Sequence, residues 1–181
     1  MKKFDKDYII ETERLIIKMP DYSFAKSFYD LIDDDVAKFM EWSKLNNPED
    51  YFNVIDNRIK DTIDGKRWDA IIVEKESWNM IWNFWIVNFD EDINGIELWY
   101  WLAKKYWWKW YIKECVERIK EIWFNELWYE RILIKATNEN TNSTNVAKRC
   151  WFHFDWVLRK DAIIRWKYVD KAYYTFLKED Y

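Results

Sequence analysis

Apolar and polar positions along this chain repeat with two periods, and the switches between them mark out its elements. RLIIKM (14–19) reads as a strand. After Pro20, DYSFAKSFYDLI (21–32) reads as a helix opened by Asp21 as cap, with Phe24, Phe28 and Leu31 on one face. A second helix is predicted from Asn46 to Asp64. Three strand-like runs follow with turn signals between them, RWDAIIVEK (67–75), NMIWNFWIVNF (79–89) and GIELWYWLA (95–103), and imply an antiparallel meander. A long helix is expected from about Lys109 to Leu127. RILIKAT (131–137) is a strand, NSTNVAKRC (142–150) a helix, and FHFDWVLRKDAII (152–164) and YVDKAYYTFL (168–177) are strands joined around Arg165 to Lys167. The order βααβββαβαββ belongs to the α/β (α+β) class.

The turns in this pattern hold the wrong residue. Trp78 and Trp166 lie between paired strands, where a tight hairpin wants Gly or Asn-Gly. Trp128 and Trp151 follow directly on helices, where a left-handed residue, usually Gly, ends the helix. KKYWWKWYIKECV (104–116) carries the chain from a strand into a helix with three tryptophans, although such a bend favours small or polar residues. For a bulky side chain the left-handed region is a steric outlier. Tryptophan stands where glycine belongs.

Composition sharpens this point. The 181 residues include 15 Trp and 2 Gly, whereas average usage of about 7 % would place roughly 13 glycines in a chain of this length. The length suits one domain spanning 1–181, with a single core. A formal net charge of −4 and a pI near 5.2 argue against a protein that binds nucleic acid by neutralising phosphates. Cys115 and Cys150 lack metal-ligand spacing and read as reduced core thiols of a cytoplasmic protein. The segment MKKFDKDYIIETERL has no apolar h-region, and no uncharged apolar run approaches the roughly 18 to 20 residues that span a bilayer, so neither secretion nor membrane insertion is expected.

With those tryptophans read as glycine, the turn becomes YWGKGYIKECV and resembles the acyl-CoA loop of the GNAT superfamily, specifically its RimJ/RimL-like N-acetyltransferase branch. ETERLIIKMP is similar to that family's first strand, GIELWYWLAKKYW to its fourth, NENTNSTNVAKRCWF to its Asn-x-x-Ser helix ending in Gly-Phe, and DWVLRKDAIIRWKYVD to its closing hairpin. In this alignment Trp78, Trp82, Trp85, Trp99, Trp108, Trp110, Trp128, Trp151, Trp156 and Trp166 occupy family glycine positions, and Trp123 is a candidate for an eleventh. Trp42, Trp68, Trp101 and Trp107 stand where the family accepts an aromatic. Returning all eleven to Gly would raise glycine from 2 to 13 and lower tryptophan from 15 to 4. Three origins are open: UGA codons read as Trp where the source organism reads Gly, deliberate Gly-to-Trp engineering, or divergence concentrated on one residue type. The first is favoured.

The resemblance implies a central, mostly antiparallel mixed sheet of about seven strands with about four helices, and acetyl-CoA as co-substrate. Pantetheine would lie along the backbone of Tyr100, Trp101 and Leu102. The loop from Lys105 through Trp107, Trp108, Lys109, Trp110 and Tyr111 to Ile112 fits Arg/Gln-x-x-Gly-x-Gly with Lys in the first place, and its backbone N–H groups at a helix start would hold the diphosphate. Lys104, Lys105, Lys109 and Lys113 add positive charge. Asn140 and Ser143 match Asn-x-x-Ser, where side chains contact the cofactor; helix capping is the alternative. An amine acceptor, either a protein N-terminus or a small amine, must lose a proton before it attacks. Glu97 stands where the family often places the carboxylate that drains it, though a surface charge on a strand is equally open. Ala147 replaces the tyrosine that many relatives use to protonate the leaving thiolate. His153 reads as structural. No metal, membrane or nucleic-acid partner is expected, and the protein would act as monomer or homodimer. A different function class, a catalytically inactive aromatic-rich binding module, is the competing reading.

Overall fold

The structure, a computed structural model, describes residues 7–90, 92–107 and 109–181. Eight strands form one sheet in the order β1-β2-β3-β4-β5-β6-β8-β7. They are β1 (Ile10–Glu11), β2 (Leu15–Lys18), β3 (Trp68–Glu74), β4 (Met80–Asp90), β5 (Gly95–Leu102), β6 (Arg131–Thr137), β7 (His153–Ile164) and β8 (Lys167–Leu177). The helices are α1 (Ala25–Leu31), α2 (Asp34–Ala37), α3 (Asp50–Ile63), α4 (Tyr111–Glu121) and α5 (Thr141–Arg149). Every pairing is antiparallel except β5 with β6. No helix among the described residues is long and apolar enough to cross a membrane.

The predicted order holds, with two short additions that carry no period of their own. One is the two-residue strand β1, paired to β2 through Ile10 and Ile17. The other is α2, a single turn whose cap Asp33 accepts from the Val36 amide at 2.9 Å. The predicted helix over 46–64 starts later, at Asp50, because Pro48 disfavours helical geometry in the residue before it. The helix predicted from Lys109 begins at Tyr111 and widens into a π-turn at Ile122–Glu126.

Cross-strand partners share a face of the sheet, and residues two apart along a strand return to it. Asp69, Trp85 and Trp99 are therefore on one face, covered by α1 and α3, where Trp101 meets Phe28 edge-on at 6.4 Å. Trp68, Ile86 and Leu98 are on the other, where Trp68 packs against Trp123 of the π-turn at 6.3 Å. Both rings are fully buried. Trp123 has right-handed backbone geometry, so nothing in its conformation requires glycine.

The turns follow the expectation from local chemistry. Positive φ occurs at Trp78 (55°), Trp110 (62°), Trp128 (61°), Trp151 (62°) and Trp166 (65°). Arg165 (49°) and Trp166 alone join β7 to β8, and two successive positive φ values make a type I′ hairpin. At the end of α5 the Trp151 amide donates to the Lys148 carbonyl at 3.1 Å and the Phe152 amide to the Ala147 carbonyl at 3.0 Å. That is the Schellman pattern, with tryptophan at the position usually given to glycine. All five indoles are exposed, and each sits at a separate turn. Trp82, Trp85, Trp99 and Trp156 lie inside strands instead, without positive φ.

Candidate active site

Among the described residues, the parallel pairing of β5 with β6 covers Gly95↔Arg131, Ile96↔Ile132 and Glu97↔Leu133. Beyond Glu97 the two strands part. β5 continues to Leu102 against β4, and β6 continues to Thr137 against β8, so the backbone of residues 98–102 faces a gap on one side. A strand edge exposed within a sheet is a template for another extended, hydrogen-bonding chain.

On the α5 side of the gap, one cavity of about 130 Å³ brings together Tyr100, Trp101, Trp107, Ile112, Asn140 and Ser143. Trp101 is nearly fully buried with its ring in the core, so its backbone is what the gap can use. Leu102 pairs with Trp82 of β4. Asn140 caps α5, its Oδ1 accepting from the Ser143 amide at 3.3 Å. The Ser143 hydroxyl donates to the Tyr100 phenol oxygen at 3.3 Å, and the phenol donates to the Ser143 carbonyl at 3.2 Å. Burial pushes the Tyr100 phenol above its ordinary range, so it stays a neutral donor.

An adjoining cavity is lined by Trp107, Trp110, Ile112, Lys113 and Arg149. Arg149 also lines the first cavity, and its guanidinium lies 5.3 Å from the centre of the Trp110 ring. Sequence reasoning missed this cation. Its signal is the spacing of Asn142, Val146 and Arg149 along one face of α5. Trp110 precedes α4 in the left-handed conformation, and α4 opens with N–H groups that have no partner within the helix. Trp108 lies outside the described residues.

The other loop residues point elsewhere. Lys105 is exposed, with its ammonium 4.9 Å from the Tyr106 ring centre. Lys104 pairs with Asp35 at 2.5 Å. Lys109 reaches Glu74 at 3.4 Å, and the buried Tyr111 phenol donates to the same carboxylate. Glu74 also accepts from Ser77 at 2.7 Å, while Glu114, one turn into α4, holds Arg14 at 2.6 Å and the Arg14 amide at 2.9 Å. The start of α4 is thus clamped to the ends of β2 and β3.

The hydroxyls of Ser77 and Tyr111, and then Lys109, hold the Glu74 carboxyl below its ordinary range. A depressed folded value means that its contribution is full above the unfolded carboxylate range and is lost as pH falls through the folded value. Glu74→Gln should therefore cost about 1.5–3 kcal/mol at neutral pH. In thermal melts the gap between the two proteins should close in acid; a gap independent of pH would show that the charge of Glu74 contributes nothing.

Glu97 is on the opposite face from Tyr100. It is 1 % exposed at the point where the strands part, and its Oε2 is 3.0 Å from the Lys135 ammonium. Both line a cavity of about 670 Å³ together with Trp42, Tyr51, Arg58, Asp69, Trp85 and Trp99. Asp69 is held between Arg58 and Arg67, each at 2.8 Å. Trp85 and Trp99 stack at 5.9 Å and stand inside this cavity. His153 is exposed, 3.3 Å from Asp155 and away from both cavities.

The strand gap is thus flanked by one narrow and one wide cavity. The model of the acetyltransferase (GNAT) domain matches residues 14–153. The chain belongs to the GNAT acetyltransferase family. Among its GNAT relatives is an uncharacterized N-acetyltransferase p20 of Bacillus licheniformis, 23 % identical over 174 residues that cover 94 % of this chain and 96 % of that protein. RimL, the ribosomal L7/L12 alpha-N-protein acetyltransferase solved with coenzyme A, superposes with a TM-score of 0.84 at 16 % identity, covering 96 % of this chain and 100 % of RimL. The microcin C7 self-immunity acetyltransferase MccE, solved with acetyl-CoA and AMP, gives 0.84 at 21 % identity, covering 91 % and 93 %. These likenesses in fold extend over nearly the whole GNAT chain.

Proposed function

We propose that the protein transfers an acetyl group from acetyl-CoA directly to a primary amine, a protein N-terminus or a small amine. The observation that carries this reading is the parting of β5 and β6 after Glu97↔Leu133, with the Tyr100–Ser143 cavity on one side and the Glu97 cavity on the other. The side of residues 98–102 that no longer pairs in register with β6 would pair with the pantetheine amides. The first N–H groups of α4, with Lys113 and Arg149, would take the diphosphate. With acetyl-CoA held there, Glu97 would take the proton the ammonium must lose, and the neutral nitrogen would add to the thioester carbonyl. As the carbon–sulfur bond breaks, the second nitrogen proton would pass through solvent to the departing thiolate, releasing coenzyme A.

The residues present fit this co-substrate at the strand edge and at α4, and fit it poorly at Trp110. An indole at the entry to α4 engages Arg149 and covers the place where a diphosphate needs close backbone approach. This misfit supports the reading in which the working protein has glycine at position 110, as UGA decoding would supply. Calorimetric titration with acetyl-CoA tests this: Trp108→Gly with Trp110→Gly should tighten binding by about tenfold or more, equivalent to about 1.4 kcal/mol or more. Equal affinities for the two versions would overturn the placement of the diphosphate in this loop. The inactive-module alternative receives little support from the exposed tryptophans, since five of the six described ones are dispersed over separate turns and the sixth, Trp156, stands within β7.

A further inference from the structure

Behind the Glu97 cavity lie two buried polar side chains that the reaction so far leaves unused. Lys171 of β8 is 4 % exposed and Thr137 of β6 is 5 % exposed. They are register partners, which puts their Cβ atoms about 5 Å apart on one face. That face is Glu97's, because Glu97 pairs with Leu133 and the side chains of Leu133, Lys135 and Thr137 return to it in steps of two. Both residues stand where β6 has left β5 and the gap is open.

Among the described residues the Lys171 ammonium makes no hydrogen bond and no ion pair, and the Thr137 hydroxyl makes no hydrogen bond. The Trp99 ring lies against Lys171, its centre 5.4 Å from the ammonium. The buried indole N–H of Trp99 itself has no acceptor among those residues. The carboxylates of Glu41, Asp161 and Glu97 favour the Lys171 charge without forming an ion pair with it, so burial of the ammonium is only partly compensated, and a ring face adds little. Groups left in this state directly behind a cavity wall, here the Trp99 ring, mark a place for a ligand once that wall is removed. Trp99 is also one of the family glycine positions, and glycine there would uncover Lys171 toward the cavity that Glu97 and Lys135 line.

We propose that Lys171 and Thr137 form an anion subsite of the acceptor cavity, which holds a carboxylate or phosphate group carried by the acceptor a few bonds from its amine. An ammonium has three donors and no acceptor, and a hydroxyl beside it adds a fourth donor, so the pair recognises an acceptor-rich anion. Glu97, on the same face, draws the amine end. The inference rests on the N-acetyltransferase reading and narrows its acceptor from any primary amine to an amine bearing an anionic group.

The test uses the full chain carrying Trp99→Gly, Trp108→Gly and Trp110→Gly, with two matched acceptor pairs: tyramine against tyrosine for the carboxylate, and ethanolamine against phosphoethanolamine for the phosphate. Binding is measured by calorimetry without acetyl-CoA, and acetyl transfer separately. The anionic member of at least one pair should bind and react at least about tenfold better, and which pair shows this names the anion. Lys171→Met should abolish the preference while leaving the neutral amine unchanged, Lys171→Arg should keep most of it, and Thr137→Val should weaken it. Melting curves confirm that the variants fold; a buried methionine is well tolerated at such sites. A missing preference, one that survives Lys171→Met, or an equal loss on both members of each pair would overturn the subsite. Absence of transfer to any acceptor, with the binding preference intact, would instead count against the acetyltransferase reading alone.

Discussion

Replacing Trp78, Trp110, Trp128, Trp151 and Trp166 together by glycine is expected to raise stability on the order of 5 kcal/mol, or roughly 10–20 °C in melting temperature. Each residue is held at φ between 55° and 65°, where a side chain with a Cβ is crowded by the following carbonyl and glycine is not. Glycine loses more backbone entropy on folding, which reduces the gain at each site to about 1 kcal/mol. Little packing is given up, since the five indoles are between 59 % and 97 % exposed. Trp68→Gly and Trp123→Gly supply the contrast. Both rings are fully buried, and emptying either site should cost at least about 3–5 kcal/mol. Thermal denaturation of the single variants separates the two classes, and a loss of stability at the exposed five would refute the argument. The gene gives an independent reading: codons 108, 110, 128, 151, 156 and 166 should be UGA, and codons 101 and 107 UGG.

The second large effect concerns Glu97→Gln in the glycine-restored protein, expected to lower kcat/KM by about 10²-fold or more with acetyl-CoA affinity little changed. Glutamine keeps the size and one hydrogen bond but cannot accept the proton. An amine with a pKa of about 8 to 10.4 is mostly protonated at neutral pH, so the deficit should shrink as pH rises and more acceptor is already neutral. The Lys135 ammonium 3.0 Å away predicts a companion result. Lys135→Met removes the cation that holds the carboxylate in place and should also lower kcat/KM, by less than the loss of the base itself. Wild-type turnover by Glu97→Gln at neutral pH would reduce Glu97 to a structural ion pair.

Much of the fold is local and was legible. Strand and helix periods, the Asp21 and Asn140 caps and the turn positions depend on neighbours within a few residues, so their φ/ψ demands could be read before any tertiary contact was known. Five of the tryptophans singled out at turns do occupy the left-handed region. The order of elements and the place of Glu97 on its strand followed from the same periods and from the family resemblance.

What the sequence by itself determined is therefore the order of the elements and the conformation each turn requires, because both arise between residues close along the chain. Only the tertiary structure decided where β5 leaves β6, which lysines of the loop are already held by Asp35 and Glu74, that Arg149 faces Trp110, and that Trp123 belongs to the core. It also decided that Lys171, an ordinary charge in the sequence, is buried beside Trp99 and, among the described residues, forms no ion pair. These depend on pairings such as Glu97↔Leu133 and Thr137↔Lys171, between residues some 35 positions apart, whose closeness no local period encodes.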